Sequence, residues 1–242
     1  MKMKNKKQEQ EKKKKAHKQR LIANKRRKDP SLERKVPQKI KKEEILIVCE
    51  GANTEPSYFE QFKLSTASIK VLGDGFNTLS LVNQAYKIHQ KDKSEGKNYD
   101  QVWCVFDKDE FENQAFNQAT ITAHSYGFNV AYSNQAFEYW FILHFEDHQG
   151  GAMDRKDYDA KINSYLNKYN VHYDGKKSKR VSTGMFELML ALDEKTNISR
   201  QTLAIDRAIK VLNFHKESGA PPSKSESSTS VFELVKELNK FK

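Results

Sequence analysis

The sequence has no long apolar run, which excludes a membrane-spanning helix. No stretch reaches the roughly 18 consecutive apolar residues that such a helix needs, and the 242 residues have a mean hydropathy of −0.86. The basic N-terminus is not followed by the apolar segment of a secretory signal peptide. We therefore expect a cytoplasmic protein.

Cysteine is scarce, and its placement excludes two further classes of protein. Cys49 and Cys104 are the two cysteines of the chain, and each lies inside an apolar run. They form neither the framework of a small disulfide-rich domain nor a C-x-x-C zinc site. We expect two reduced thiols in the core of a cytosolic protein. The chain also lacks a G-x-x-x-x-G-K-[ST] string, which excludes a P-loop ATPase within it.

Acidic residues are rare at the N-terminus and common elsewhere. Residues 1–42 hold 19 of the 43 Lys and Arg but 4 of the 32 Asp and Glu, a net charge of +15. The other residues carry 24 basic and 28 acidic side chains, a net charge of −4. We therefore predict an acidic folded part, beginning at residue 43, that carries a basic arm.

Apolar residues in this arm are too sparse for a packed face, so we expect a tail that is disordered or only partly helical. Pro30 and Pro37 would break any helix that begins upstream. Two interpretations stay open: an arm that binds nucleic acid, or a tail that only solubilises or localises the protein. In the first interpretation the phosphate-binding residues are Lys12, Lys13, Lys14, Lys15, Arg26 and Arg27.

The hydrophobic pattern of the folded part predicts an α/β fold. Continuous apolar runs at 45–49 and 102–106 are typical of strands buried on both faces in a parallel sheet. Shorter strands near 69–72 and 129–132, with helices between successive strands, predict a wound, Rossmann-like sheet over residues 43–147. Residues 148–242 are expected to form a mainly helical region packed on this core. The predicted helices are 54–63 (with Thr54 as N-cap), 79–90, 113–126, 137–144, 158–168, 183–193, 200–215 and 231–241.

Carboxylates follow both long buried strands. Glu50 comes directly after the first, and Asp107 and Asp109 follow the second. Because ligands of open parallel sheets collect at the carboxyl ends of the strands, we expect these acids to converge if the strands are neighbours. Close carboxylates repel unless protonated or neutralised by a cation, and hard oxygen ligands suit Mg²⁺ or Mn²⁺. Such a site can activate a phosphodiester towards hydrolysis. The alternative is that Asp109 or Glu110 merely caps the helix near residue 113.

A Glu50-Gly51 turn after one strand and an Asp107-x-Asp109 string after a later one resemble the toprim domain of topoisomerases, primases and OLD-type nucleases. Three longer strings are similar to the RloB-like family: 48–59, 133–145 and 228–235. The resemblance implies a toprim-like fold and a metal-dependent nuclease effector of bacterial phage defence, working with an ATPase partner. It implies that Glu50 is a metal ligand or general base, and that Asp107 and Asp109 are metal ligands.

Two further acids stay open. Glu55 resembles the second acid of the first toprim motif, but it follows Glu50 by five residues rather than four, so it is either a metal ligand or a first-turn helix acid. Glu138 lies at a predicted helix start, off the stripe formed by Phe137, Phe141 and Phe145. It is either a catalytic acid, as the resemblance favours, or another helix-terminal acid.

The aromatic segment around Glu138 and a downstream basic cluster have two interpretations each. Tyr139 and Trp140 are expected in the core rather than stacked on bases, and His144 is expected to be a hydrogen-bonded structural residue. The basic cluster is either a phosphate-binding surface or a solvated loop. Its members are Lys176, Lys177, Lys179 and Arg180.

The leading hypothesis is therefore a Mg²⁺- or Mn²⁺-dependent nuclease that acts on DNA or RNA, including tRNA, and is controlled by a partner ATPase. The alternative from another class is a non-catalytic sensor or adaptor subunit of an ATPase complex. A nucleotide-binding or phosphatase-like enzyme using the same acids is a third hypothesis.

Overall fold

A computed structural model describes residues 2–26, 42–73, 75, 78–108, 112–148 and 151–242. It divides into two units, Met1–Ile40 and Lys41–Lys242, which are described separately. None of the helices in the described residues is both long and apolar enough to cross a membrane.

In the first unit the described residues form one helix, α1 (Lys2–Arg26). Every described side chain from residue 8 to residue 25 is exposed, including Leu21 and Ile22. Lys, Gln and Glu favour helix, but the helix has no apolar face that could be stabilised by packing within its unit. The tail was expected to be disordered or partly helical, and the second of these expectations applies to residues 2–26.

The second unit is built on a parallel sheet whose strands are β1 (Glu43–Cys49), β2 (Ala67–Gly73), β3 (Gln101–Asp107) and β4 (Asn129–Ser133). The strand order is β2-β1-β3-β4, and every pair is parallel. The predicted α/β fold with a wound parallel sheet is therefore confirmed. The last five residues of β1 are buried, as their continuous apolar run predicts.

The helices between and after these strands are α2 (Thr54–Phe59), α3 (Thr78–Ser94), α4 (Asn113–Ser125) and α5 (Glu138–Leu143). The prediction for α2 was wrong in two details. The helix ends at Phe59 rather than near residue 63, and Thr54 is its first residue rather than its N-cap. Asn53 occupies the N-cap position and makes no capping bond through its side chain.

The C-terminal half is mainly helical, as predicted. Its helices are α6 (Tyr158–Leu166), α7 (Thr183–Leu190), α8 (Arg200–Glu217) and α9 (Val231–Asn239), with short 3₁₀ turns at Arg155–Asp157, Asn167–Tyr169 and Pro222–Lys224. The segment before α9 lies along β4, where Ser230 N–H donates to Tyr132 O (2.7 Å) and Tyr132 N–H donates to Ser230 Oγ (2.9 Å). These bonds satisfy backbone groups of β4 that have no strand partner on that side.

A cluster of aromatic rings packs beneath the carboxyl end of the sheet. Tyr58 of α2 contacts Phe137 and Phe186 edge to face and Phe141 in a tilted arrangement, with ring centroids 5.4–5.9 Å apart. Trp140 Nε1–H donates to Tyr58 OH at 2.9 Å. Because α2 and α5 are joined through these rings, the residues at their N-terminal ends are held in a fixed relation.

Candidate functional site

Glu50 and Asp107 lie side by side because their strands are neighbours. Cys49 pairs with Val105, and Glu50 N–H continues the ladder by donating to Val105 O at 2.9 Å. Asp107 N–H in turn donates to Glu50 Oε2 at 3.0 Å. The structure thus brings together these two predicted site residues, while Asp109 lies outside the described residues.

Glu55 reaches back over the turn that follows β1. Gly51 N–H donates to Glu55 Oε1 at 3.3 Å, and the Glu55 side chain is buried. A Cβ atom on residue 51 would lie 2.3 Å from Glu55 Oε2. Glycine is therefore needed here because a carboxylate packs against its Cα. The bond also gives Glu55 a structural role at the first turn of α2, whatever else it does.

Asp107 and Glu138 each accept a hydrogen bond through one carboxylate oxygen. Phe137 N–H donates to Asp107 Oδ2 at 3.0 Å, whereas the buried Asp107 Oδ1 has no hydrogen-bond partner among the described residues. Tyr173 OH donates to Glu138 Oε1 at 2.8 Å and lies 3.3 Å from Thr54 Oγ1. A buried carboxylate oxygen without a partner is costly, so Asp107 Oδ1 needs an explanation beyond capping.

These carboxylates line one pocket of about 260 Å³. Two cationic side chains, Arg155 and Lys179, also line it. The described residues that line it are Glu50, Gly51, Ala52, Asn53, Thr54, Glu55, Asp107, Phe137, Glu138, Arg155 and Lys179. We call this cavity the acidic pocket.

Burial dominates the electrostatics of the acidic pocket. It raises the pKa of Glu50 to about 7, against the opposing effect of the Asp107 N–H bond. Burial also raises the pKa of Glu55 to about 7, with Glu138 adding to the rise and Lys179 opposing it. The pKa of Asp107 is raised well above its usual value by burial and then by the charges of Glu55, Glu138 and Glu50. Protonation or a bound cation would relieve this repulsion.

The donor chemistry of the acidic pocket suits a hard divalent cation. Its carboxylate oxygens are the ligands that Mg²⁺ and Mn²⁺ prefer, and Asp107 Oδ1 has capacity for a ligand. Within the described residues, no group of three or more His, Cys, Asp or Glu side chains is arranged to hold a metal ion. Two of the predicted metal ligands, Glu50 and Asp107, lie side by side. They are the described residues that would hold the cation.

The predicted basic cluster separates into different environments. Lys176 and Lys177 are exposed in a turn, where their backbone N–H groups donate to Asp174 Oδ1. Arg180 lies 3.8 Å from Glu60, outside the acidic pocket. Lys179 lines the pocket and has a left-handed backbone (φ 49°). The remaining predicted phosphate-binding residues belong to the first unit, where Lys12–Lys15 are exposed on α1, Arg26 ends α1, and Arg27 lies outside the described residues.

Sequence reasoning missed Tyr173 and Arg155. Tyr173 lies between α6 and α7, and Asn163 holds its backbone through bonds of 2.8 Å and 2.9 Å. Arg155 N–H donates to Gln135 Oε1 at 2.9 Å. Neither residue stands in a motif or at the end of a predicted strand, so the local pattern carries no signal for either of them.

The aromatic segment is core, as predicted. Tyr139 and Trp140 are fully buried, which excludes base stacking on these rings in this conformation. His144 Nδ1 lies 2.9 Å from Trp140 O, but its buried Nε2 has no hydrogen-bond partner among the described residues. His144 is therefore structural but only half satisfied. Cys49 and Cys104 are free, buried thiols, as expected.

The comparison with protein families confirms the resemblance to the RloB-like family. A family model described as RloB-like protein matches residues 45–238. The match covers both acidic strand ends, the aromatic segment and α9, and leaves out the basic N-terminal unit. A search of the curated proteins finds no match.

Proposed function

The chain belongs to the RloB-like family, and on that premise we propose that the acidic pocket is the active site of a metal-dependent nuclease. Its substrate class is the phosphodiester backbone of DNA or RNA, including tRNA. Its proposed setting is bacterial phage defence, with a partner ATPase that controls activity.

One observation carries this proposal: the buried Glu55 and the half-buried Glu50, Asp107 and Glu138, from four separate segments of the chain, meet in one pocket, and the buried Asp107 Oδ1 has no hydrogen-bond partner among the described residues. Holding several like charges together out of water destabilises a fold. A sensor or adaptor has no physical need for such an arrangement, whereas a cation-dependent hydrolase does. This contrast favours the enzyme over the non-catalytic alternative.

Glu50 and Asp107 would hold the cation, and Asp109 is a further candidate ligand. A bound Mg²⁺ or Mn²⁺ would polarise the scissile phosphate and neutralise the charge that develops during hydrolysis. The backbone bonds from Asp107 N–H to Glu50 and from Phe137 N–H to Asp107 fix both carboxylates before the substrate arrives. Such preorganisation avoids reorientation at the moment of reaction.

Lys179 and Arg155 supply positive charge at the rim of the same pocket. A phosphodiester that approaches the carboxylates needs such charges because the acids alone would repel it. Glu138, whose orientation is fixed by the bond from Tyr173 OH, is the remaining acid that could accept a proton or orient water.

Cleavage assays test the proposal directly. The purified protein is incubated with supercoiled DNA, single-stranded DNA and total tRNA in Mg²⁺, Mn²⁺ or EDTA, with and without the partner ATPase. We expect cleavage of at least one substrate in the presence of metal and none in EDTA.

The variants Asp107→Asn and Glu50→Gln should each lower this cleavage by orders of magnitude. Asp147→Asn is the matched control because Asp147 lies outside the acidic pocket and pairs with Lys210 at 3.2 Å. It should cleave like the wild type. Metal-independent cleavage, or full activity of Asp107→Asn, would exclude this active site. Absence of cleavage under every condition would favour the adaptor.

A further inference from the structure

A second cavity adjoins the acidic pocket at the carboxyl ends of β3 and β4. It has a volume of about 860 Å³ and shares Arg155 with the acidic pocket. We call it the basic groove, and it is lined by Lys108, Asn113, Asn134, Gln135, Ala152, Asp154, Arg155, Lys156, Ser223, Lys224 and Glu226.

The basic groove is positive although the folded part of the chain is negative. Four Lys and Arg side chains and two acids line it, which gives a local charge of +2, whereas residues 43–242 carry −4. Three amide side chains add further hydrogen-bond donors. Lys and Arg charges with amide donors match the chemistry of phosphate oxygens.

Among the described residues, the lining contains no aromatic ring. Proteins that hold single-stranded nucleic acid through its bases stack those bases on exposed aromatic side chains. The described lining offers no such platform, and its chemistry fits the sugar–phosphate backbone.

The acidic pocket and the basic groove adjoin each other. Asp107 lines the first and the next residue, Lys108, lines the second, with Lys108 N–H anchored to Ser133 O at 2.8 Å. On the other wall, Gln135 accepts from Arg155 N–H and has a left-handed backbone (φ 80°). Gln135 thereby helps to fix Arg155 at the junction of the two cavities.

We propose that the basic groove binds the phosphate backbone of the nucleic-acid strand next to the scissile phosphate. The inference rests on the proposed nuclease function and adds the surface that orients the substrate. A polyanion cannot lie along a row of carboxylates, but it can lie in the basic groove and present one phosphate to the acidic pocket through Arg155. The contacts are to phosphate, so the groove contributes affinity without sequence preference.

The test is the salt dependence of binding by the full chain. Lys156 and Lys224 are exposed, and the double variant Lys156→Ala/Lys224→Ala removes two charges of the groove and none of the acidic pocket. Anisotropy of labelled oligonucleotides is measured in EDTA over a range of salt concentrations. The slope of the logarithm of the binding constant against the logarithm of the salt concentration should fall in magnitude by about 1.4 on a single strand and about 1.8 on a duplex. At 0.1 M salt this corresponds to a loss of affinity of about 25- to 60-fold.

The matched control is Lys87→Ala/Lys216→Ala, which removes the same charge from exposed helix positions outside the groove. Its slope should stay within about 0.3 of the wild-type slope. Single-stranded DNA, single-stranded RNA and duplex DNA are separate arms, and they establish which strand the groove holds. Free ATP serves as a competitor.

Equal slopes for the two double variants would overturn the inference, as would a wild-type protein that binds none of the strands. Displacement of the strand by ATP at concentrations near the strand's own Kd would make the groove a mononucleotide site and would also overturn it. Binding in EDTA requires no cleavage. If only the nuclease proposal is wrong, the strand will bind in a groove-dependent way but will not be hydrolysed. If only the groove proposal is wrong, the strand will be hydrolysed but its binding will not depend on the groove.

Discussion

At the scale of single residues, Asp107 is the side chain whose surroundings are hardest to explain by structure alone. It is half-buried, its buried Oδ1 has no partner among the described residues, and burial together with the charges of three other carboxylates raises its pKa. An ordinary helix cap would have both its charge and its oxygens satisfied. The stability of Asp107 variants therefore distinguishes a functional acid from a structural one.

Asp107→Asn should hold or raise the melting temperature in EDTA near neutral pH because it removes one of the repelling charges. Relief of about 1 kcal/mol would raise the melting temperature by ~2–4 °C in a chain of this size. Added Mg²⁺ should stabilise the variant less than the wild type, since a ligand that binds only the folded state stabilises it by mass action. Differential scanning calorimetry with and without metal measures both effects.

The exposed Asp147→Asn serves as control and should retain the full response to metal. A destabilised Asp107→Asn protein with an unchanged metal response would make Asp107 a structural cap, and the metal-site interpretation would be wrong.

His144 provides a prediction about pH that is independent of the acidic pocket. Burial lowers its pKa to about 3, and the charges of Arg207 and Arg200 act in the same direction. The unfolded chain binds the proton near pH 6.5, so the stability from neutral His144 is complete above that pH and is lost as the pH falls towards 3. This residue should lower the free energy of unfolding by about 1.4 kcal/mol per pH unit below pH 6.

Urea unfolding of the wild type and of His144→Gln between pH 7.5 and pH 5 checks the prediction. The raised pKa values of Glu50 and Glu55 act in the opposite direction, because those acids bind protons more readily in the folded state. His148 and His215, whose pKa values are also lowered, titrate in both proteins. The difference between the two slopes therefore isolates His144, and parallel curves would contradict the prediction.

At the scale of elements, the segment 173–181 lies between α6 and α7, contributes Lys179 to the lining of the acidic pocket, and places Tyr173 OH against the pocket residue Glu138. Asn163 binds the backbone of Tyr173 at one end, and Val181 N–H donates to Ser57 Oγ at 2.8 Å at the other. Between these anchors Asp174 accepts the backbone N–H groups of 176, 177 and 178. This turn fixes the position of Lys179, whose N–H donates to Asp174 O at 2.8 Å.

Asp174→Ala should loosen this turn and leave the core intact, because the lost bonds are exposed and local. We expect faster amide hydrogen exchange at 176–179, a cleavage rate several-fold lower in the proposed reaction, and an almost unchanged melting temperature. Asp193→Ala is the matched control, since Asp193 accepts the backbone N–H groups of 195 and 196 in a turn outside the acidic pocket. Equal exchange in the wild type and Asp174→Ala would show that the anchors alone hold the segment.

At the scale of the whole molecule, the net positive charge comes from the N-terminal residues. Deletion of residues 1–42 removes a net charge of +15 and leaves a chain with a net charge of −4. If the tail binds phosphate, the log–log salt slope of nucleic-acid binding should flatten by several units. The folded part should keep its melting temperature because the described tail side chains from residue 8 to residue 25 are exposed.

Replacement of Lys12–Lys15 by Gln is the graded version of this experiment. Four lost phosphate contacts should reduce the slope by about 2.8–3.6. A slope that does not change on deletion would restrict the tail to solubility or localisation.

Control of activity is the second prediction at this scale. A nuclease that was active when free in its own cell would damage the host's nucleic acid, so we expect the isolated protein to cleave weakly and the partner ATPase to activate it. Cleavage rates of the protein with wild-type ATPase, and with ATPase changed at its P-loop lysine, separate the effect of binding from that of ATP hydrolysis. Rapid cleavage by the isolated protein at low concentration would exclude this form of control.

The amino-acid sequence by itself determined the parallel sheet and the position of Glu50 and Asp107 at the carboxyl ends of its strands, and the structure showed that these two strands are neighbours. Strands buried on both faces have a continuous apolar pattern, and parallel neighbours place their carboxyl ends at one edge. The burial of Tyr139 and Trp140 followed from the usual place of large aromatic side chains in the core. These features depend on local pattern and on one rule of sheet geometry, so they can be read without knowing how the loops run.

Only the tertiary structure decided which other side chains reach the acidic pocket. Lys179 and Arg155, which line the pocket, and Tyr173, which binds Glu138, come from connections after the sheet, where no hydrophobic period shows the direction of a side chain. Lys179 faces the carboxylates while Lys176 and Lys177 face solvent, because one turn around Asp174 sets their directions. The position of a loop residue depends on anchors such as Asn163 and Ser57, which are distant in sequence and meet it only when the core has formed.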